Sequence, residues 1–293
     1  MIIQETLQTK VVKEYDVAVC GGGFGGISAA LAAARQGKKT VLFEKENLLG
    51  GLGTLGLITI YLPLCDGYGH QVSFGIAEEL FRLSIKHGAE DMYPENWLDG
   101  VGTRTEFDKR FRVRYNAQLF AILAEQRLRE AGVDIMYGTY AVGVHMNGDK
   151  IDYIVTENKS GRCAYKVKSV VDSTGDCDIA QFANAPTDTF KQGNILAAWY
   201  YSVGKDGYKL NQLGLTDTPD EEKRDPNEEN KERLRTDLRF SGLDGAENSE
   251  YLCTSHQSTL NDFLKKKKDD PNMFPVTMAT IPQLRMTRKI VGE

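Results

Sequence analysis

Residues 15–45 read YDVAVCGGGFGGISAALAAARQGKKTVLFEK, and their order decides the fold. YDVAVC (15–20) is a short apolar run of strand type that ends in GGGFGG (21–26). ISAALAAARQGKK (27–39) follows, helix-forming through Arg35, with Gly37 placed as a C-terminal stop. TVLFE (40–44) is a second strand-type run. Strand, glycine loop, helix and strand within about 30 residues make the βαβ unit of a parallel sheet. The loop satisfies G-x-G-x-x-G through Gly21, Gly23 and Gly26. The first glycine allows the tight turn and the second lets the backbone approach a pyrophosphate. The third lets helix and strand pack closely, while the helix N-terminus attracts the phosphate charge. Glu44 stands 23 residues after Gly21, at the end of the second strand, where a carboxylate accepts hydrogen bonds from an adenosine ribose. The competing reading is a glycine-rich turn that holds no ligand.

Composition bounds the alternatives. The chain has 293 residues, which suggests roughly two domains. Hydrophobic residues make up 41% and charged residues 26%, so there is material for a sizeable core and global disorder is excluded. With 36 Lys+Arg against 41 Asp+Glu the net charge is −5, which argues against a nucleic-acid binder. Cys20, Cys65, Cys163, Cys177 and Cys253 are scattered, odd in number and free of C-x-x-C. They suit no disulfide framework, zinc ribbon or dithiol motif. Residues 17–34 run without a charge, long enough to mimic a membrane span, but the glycines at 21–26 fit a buried strand–turn–helix better. The N-terminal residues have no signal-peptide pattern, and a cytoplasmic chain with no membrane partner is expected.

Outward from this unit, LLGGLGTLG (48–56) supplies a second glycine cluster. Residues 75–88 look like an amphipathic helix, and 89–113 are loop-like. NAQLFAILAEQRLREAG (116–132) is the clearest helix, with Asn116 as N-cap and Gly132 as stop. VDIMYG (133–138) reads as a third parallel strand. Three alternating runs at 140–146, 151–157 and 163–168 form a β-meander, and SVVDSTGD (169–176) is a further strand entering a glycine turn. ILAAWYYSV (195–203) suits a strand of a different sheet. The charged stretch 216–237 reads as a solvated loop, and KKKKDD (265–270) as a helix face.

FAD and NAD share the first fingerprint, so its neighbours must separate them. A second close-approach loop directly after Glu44 suits a ligand longer than its adenosine end. The sequence resembles the FAD-dependent oxidoreductase family, within the glutathione-reductase-like flavoprotein superfold, and is similar to the flavin subunit of heterodisulfide reductase and to fumarate-reductase flavoproteins. The resemblance lies in residues 17–45, LLGGLGTLGL (48–57), SVVDSTGDCDIA (169–180) and PQLRMTRKIVGE (282–293). It implies an α/β fold: a Rossmann-like FAD-binding domain, a parallel sheet with helices and a β-meander crossover, plus a smaller α+β substrate or cap domain. The expected boundaries are 1–74 and 115–187 for the FAD-binding domain, 75–114 for an inserted segment, and 188–293 for the substrate domain. FAD is the implied cofactor. Gly21, Gly23 and Gly26, with Phe24 and Gly25 between them, would hold the pyrophosphate, and Glu44 the adenosine ribose, with Lys45 as an adjoining basic residue. Gly51, Gly53 and Thr54 would line the flavin-side phosphate and ribityl region, with Thr174, Gly175 and Asp176 near the cofactor on the opposite side. Such flavoproteins close with a further strand and an Ala/Gly-rich helix, whereas this sequence stops at Glu293. A C-terminally incomplete chain that binds FAD weakly or not at all is therefore expected.

A flavin supplies hydride chemistry while the protein orients the substrate. Cys65, Asp66 and His70 in LPLCDGYGHQ are candidates for substrate contact, His70 as the catalytic one. Arg285 and Arg288 could hold an anionic substrate or stabilise a reduced, negatively charged flavin. Plainer readings stand beside these: Cys65 as a small apolar residue between leucines, His70 as a loop histidine, the arginines as ion-pair partners. His87, His145 and His256 are too dispersed for a metal or a triad. The expected function is hydride transfer between a small organic substrate and FAD. The alternatives are an NAD(P)H-using flavin reductase and a nucleotide-binding module without activity. A homo-oligomer or an electron-transfer partner is left open.

Overall fold

The computed structural model describes residues 2–60, 71–88, 115–190, 196–214, 239–284 and 286–292. Its chain falls into two compact units: residues 1–54, 59–174 and 178–185 form the first, and 55–58, 175–177 and 186–293 the second.

The first unit is built on a six-stranded sheet of order β3-β2-β1-β6-β5-β4. Strand β1 (Lys10–Cys20) lies parallel to β2 (Thr40–Phe43), which lies parallel to β3 (Asp134–Met136). On its other side β1 runs parallel to β6 (Gly161–Asp172). Strands β4 (Tyr140–Asn147) and β5 (Lys150–Asn158) extend the sheet antiparallel beyond β6. The sequence reading places strands at 163–168 and 169–176 separately, whereas residues 161–172 form one continuous strand. Its first half, Gly161–Lys166, pairs with β5 and Cys163–Asp172 with β1, so meander and parallel sheet share it. Strand β1 also starts earlier than Tyr15, because Lys10–Glu14 pair with Cys163–Lys166 although their side chains are exposed.

Both faces of the central strands are buried, which is why they read as unbroken apolar runs rather than alternating ones. Val19 and Leu42 face one core, shared with α1 (Phe24–Arg35), α2 (Ile76–Ile85) and α3 (Ala117–Glu130). Ala18, Cys20, Val41 and Phe43 face the other, against Ile154, Tyr165, Val167 and Ile179 of the short helix α4 (Asp178–Phe182). Asn116 caps α3 as its sequence position suggests, its Oδ1 accepting the Leu119 N–H at 2.9 Å. Helix α2, from the segment 75–114 read as an insert, packs against α1 and α3. An ion pair between Arg35 and Glu79 (2.7 Å), joined by Arg127 (3.2 Å), ties the three helices at their exposed edge.

The strand register sets up the site. Cys20 pairs with Phe43 on one side and Asp172 on the other, so β1, β2 and β6 end in one row at their carboxyl ends. The next residues, Gly21, Glu44 and Ser173, continue that row. Gly21 N–H donates to Phe43 O and Ser173 N–H to Cys20 O, both at 2.8 Å. The crevice beyond the carboxyl ends of parallel strands is where α/β sheets hold ligands.

The second unit has its own core. Strand β8 (Ala197–Gly204) forms an antiparallel hairpin with β9 (Gly207–Gly214) and pairs on its other edge with β10 (Phe274–Met278). Helix α5 (Gly245–Asp269), which the sequence reading met only as a charged face at 265–270, packs on β8. Tyr200 OH donates to the buried Asp262 carboxylate at 2.9 Å, and Lys266 Nζ to the same oxygen at 2.6 Å. A short pair, β7 (Thr187–Thr189) with β11 (Arg288–Ile290), lies elsewhere in this unit. The stretch 216–237 lies outside the described residues.

Leu128 of α3 is fully buried in the helix-side core. Leu128→Ala removes that contact and leaves a cavity, so it should lower unfolding stability by about 2–5 kcal/mol in urea denaturation.

Candidate functional site

The first glycine loop is shaped by contacts that leave one position open. Gly21 has φ +103°, and a Cβ there would lie 2.2 Å from Ser173 O. A Cβ on Gly26 would lie 1.8 Å from Gly21 O, so the helix can start this close to the strand only without one. Gly23 differs: it has ordinary extended backbone (φ −67°), and a Cβ would meet no described protein atom within 4 Å. No described residue demands glycine there, whereas a group lying against the backbone would. Gly23 is also the N-cap of α1, which has no side-chain cap and no acidic residue in its first turn. The positive end of the helix is thus available to an anion.

Glu44 is 5% exposed and bonded at both oxygens: Gly22 N–H donates to Oε2 at 2.6 Å and Glu46 N–H to Oε1 at 2.8 Å. Its backbone is pinned to β3, Glu44 N–H donating to Met136 O and Thr139 N–H to Glu44 O. Burial raises its carboxyl above the ordinary value, and the two N–H groups pull the other way. Each carboxylate oxygen keeps a further lone pair for a hydroxyl donor. Lys45 is exposed.

The second glycine loop is tied to the first. Gly50 N–H donates to Gly22 O at 2.8 Å, and Gly23 and Gly50 form a parallel bridge. Gly50 has φ +101°, and a Cβ would meet the Thr54 side chain at 2.3 Å. Thr54 is buried, and its hydroxyl donates to Leu49 O at 2.6 Å, so it shapes the 3-10 turn Gly51–Gly53 from beneath. Phe24 turns its ring away from the loop into a parallel stack on Phe120, centroids 4.5 Å apart. What it offers a ligand is its backbone. Thr174 and Asp172 are occupied locally. The Thr174 hydroxyl donates to Asp172 Oδ1 at 2.7 Å and accepts Asp178 N–H at 3.0 Å, fixing the start of α4.

In the second unit, Asp176 Oδ1 accepts Thr287 N–H at 2.7 Å, next to Arg288 in β11, while Gly175 is exposed. Cys65, Asp66, His70 and Arg285 lie outside the described residues. Among the described residues no group of three His, Cys, Asp or Glu could hold a metal ion, and no helix is long and apolar enough to cross a membrane. Sequence reasoning placed Gly50 in the second glycine cluster but gave no role of their own to Gly22, Ser173 and Tyr115. Gly22, Gly50 and Ser173 act here through backbone atoms, which leave no side-chain signature in the sequence. Tyr115 donates its hydroxyl to Gly53 O at 2.7 Å from 62 residues away.

Glu44→Gln keeps the shape but replaces one accepting oxygen by a donor, so one of the two N–H groups loses its partner. The cost should be about 1–3 kcal/mol in denaturant unfolding. Because the folded-state carboxyl is raised, the unfolded chain releases its proton first. Wild-type stability attributable to Glu44 therefore falls as pH rises from its ordinary value of 4.5 through the folded value. The difference in stability between wild type and Glu44→Gln, followed across that range, should shrink with rising pH.

The sequence profile of the family described as FAD dependent oxidoreductase matches residues 16–197, more than half of the chain. Over 147 residues the chain is 29% identical to a glutathione reductase from Debaryomyces hansenii, covering 48% of this chain and 26% of that protein. Over 124 residues it is 29% identical to a 4,4'-diaponeurosporene oxygenase from Staphylococcus aureus, covering 39% and 24%. The matches thus span about a quarter of the length of these curated relatives. In fold, it is similar to a geranylgeranyl bacteriochlorophyll reductase-like protein from Thermoplasma acidophilum, with TM-score 0.50, 16% identity, and coverage of 94% of this chain and 71% of that one. From its strand–glycine loop–helix unit to its family profile, the chain belongs to the FAD-dependent oxidoreductase family, and FAD is its cofactor.

Proposed function

We propose that the first unit holds FAD for an oxidoreductase that passes a hydride between a small organic substrate and the flavin. The observation that carries this reading is Gly23. It is a glycine that no described residue requires, at the start of α1 without a side-chain cap, and bridged to the second glycine loop. Backbone free of side chain at a helix N-terminus fits a pyrophosphate.

In this reading Gly21, Gly23, Phe24, Gly25 and Gly26 cradle the pyrophosphate through backbone, and Gly21 and Gly26 also make the turn itself feasible. Glu44 accepts hydrogen bonds from the adenosine ribose on its remaining lone pairs, held in place by Gly22 and Glu46. Exposed Lys45 adds positive charge near that end. Gly51 and Gly53 present backbone to the flavin-side phosphate and ribityl chain, and Thr54 supports them from below. Thr174 belongs to the same proposal by fixing the turn after β6, and Gly175 and Asp176 are proposed as cofactor contacts from their place in SVVDSTGDCDIA alone.

FAD, when bound, supplies the hydride-accepting and hydride-donating centre. The second unit is proposed as the substrate-binding part. Arg288 in β11 is a cation suited to an anionic substrate, and Arg285 and His70, outside the described residues, are proposed for substrate contact from their sequence positions alone. Cys20 is not a candidate for redox chemistry: it is buried, and burial pushes its thiol up to about 12.

The test is equilibrium titration of the purified chain with FAD, followed by quenching of flavin fluorescence, with ADP as competitor. Saturable 1:1 binding that ADP displaces is the expected result, and its Kd measures how weakly or tightly this chain holds the cofactor. Absence of binding would contradict the proposal. Gly23→Ala should leave the melting temperature unchanged, since its Cβ meets no described atom, yet weaken FAD about tenfold or more, equivalent to at least ~1.4 kcal/mol. Gly26→Ala should instead destabilise the apo protein by about 1–3 kcal/mol or more, because its Cβ would overlap Gly21 O.

A further inference from the structure

The geometry points to Tyr115 as a positioning residue that sets the second glycine loop for the flavin end of the cofactor, independently of the adenosine end. This rests on the assignment of Gly51 and Gly53 to the flavin side.

Tyr115 is 7% exposed and immediately precedes Asn116, the N-cap of α3. Its hydroxyl donates to Gly53 O at 2.7 Å, and its backbone N–H donates to Thr59 O at 3.3 Å. It therefore grips both the 3-10 turn and the chain a few residues beyond it. Gly53 is enclosed on the same side. A Cβ there would lie 2.3 Å from Phe24 Cε2 and 2.8 Å from the Tyr115 hydroxyl. The Tyr115 ring stands edge-on to Phe24 and to Phe120, which are themselves stacked. Phe24 is the first residue of α1 and Phe120 lies within α3, so the aromatic cluster links the start of the pyrophosphate-side helix to the second loop.

The consequence is a division of labour. The ties around the adenosine end run through Glu44, Gly22 and Glu46 and do not involve Tyr115. The hydroxyl of Tyr115 acts on Gly53 O alone among the described residues of the two loops. Removing it takes away the tie on Gly53 O and leaves that peptide held by the turn's own bonds, Thr54 N–H to Gly51 O and Gly53 N–H to Gly50 O, while the stacked rings and the first loop keep their contacts. A residue that merely stabilised the fold would weaken every ligand of the unit together. One that positions the second loop would weaken only a ligand long enough to reach it.

Tyr115→Phe deletes that hydroxyl and keeps the ring. The Kd values for FAD and for ADP are measured on wild type, Tyr115→Phe and Leu128→Ala, with the apo melting temperature of each. The expected result is that Tyr115→Phe weakens FAD about five- to tenfold, the loss of one hydrogen bond, and leaves ADP affinity unchanged. Leu128→Ala, which loosens α3 from its other side, should lower the melting temperature without altering the FAD-to-ADP ratio. An equal loss for FAD and ADP in Tyr115→Phe, or no loss for either, would overturn the assignment. Wild-type protein that binds ADP but gains nothing from the flavin end would overturn the flavin-side reading of the second loop and this inference with it.

Discussion

The peptide groups of Gly22 hold the candidate site together. The N–H of Gly22 is bonded to the Glu44 carboxylate, and its C=O accepts the N–H of Gly50. One residue thus links the buried Glu44 carboxylate, the first glycine loop and the second glycine loop in a continuous hydrogen-bonded chain. A side chain at this position would collide with Leu49 and with Glu44 Oε2, at 2.7 and 2.8 Å. Burial makes the link firm: Glu44 and Leu49 are almost wholly removed from water, where an unpaired amide or carboxylate oxygen would be costly.

Everything else in the first unit serves to bring these residues to one line. Parallel pairing of β1 with β2 and β6 ends three strands in the same row, and the loops begin one residue later. The register is fixed by apolar packing on both faces of those strands, since a slip by one residue would exchange Val19 and Leu42 for the residues that face the opposite core. The helices on one face are held by apolar packing and by the exposed Arg35–Glu79–Arg127 cluster, the latter a minor contributor at such solvent exposure. The order of causes runs from apolar runs, to register, to aligned strand ends, to a cradle.

Much of this was legible from residues. The βαβ unit follows from glycine placement and the two apolar runs, and α3 from Asn116 and its apolar spacing. The roles of Gly21 and Gly26 follow from the turn and packing geometry that G-x-G-x-x-G requires. Other features left little trace in the pattern. The unity of β6 was hidden because exposed Lys168 and Ser169 interrupt its alternation, though strand pairing continues through them. Helix α5 buries Tyr251, Ser255 and Asp262, so two of its three inward residues are polar and no apolar stripe marks it. Its start does have a signal, Asp244 three residues before Glu247, with the Asp244 side chain accepting the Glu247 N–H. The Gly22–Gly50 tie runs between backbone atoms and the Tyr115–Gly53 tie from a side-chain hydroxyl to a backbone carbonyl; both join residues distant in sequence, and only coordinates reveal them.

The central claim is that both glycine loops are parts of one preformed cradle. It is tested most directly by amide hydrogen exchange on the whole chain, with and without FAD. The account predicts that FAD slows exchange at residues 23–26 and 51–54 together, while the strand amides of β1 and β2, already bonded in the sheet, change little. Slowing confined to one loop, or located away from both, would contradict it.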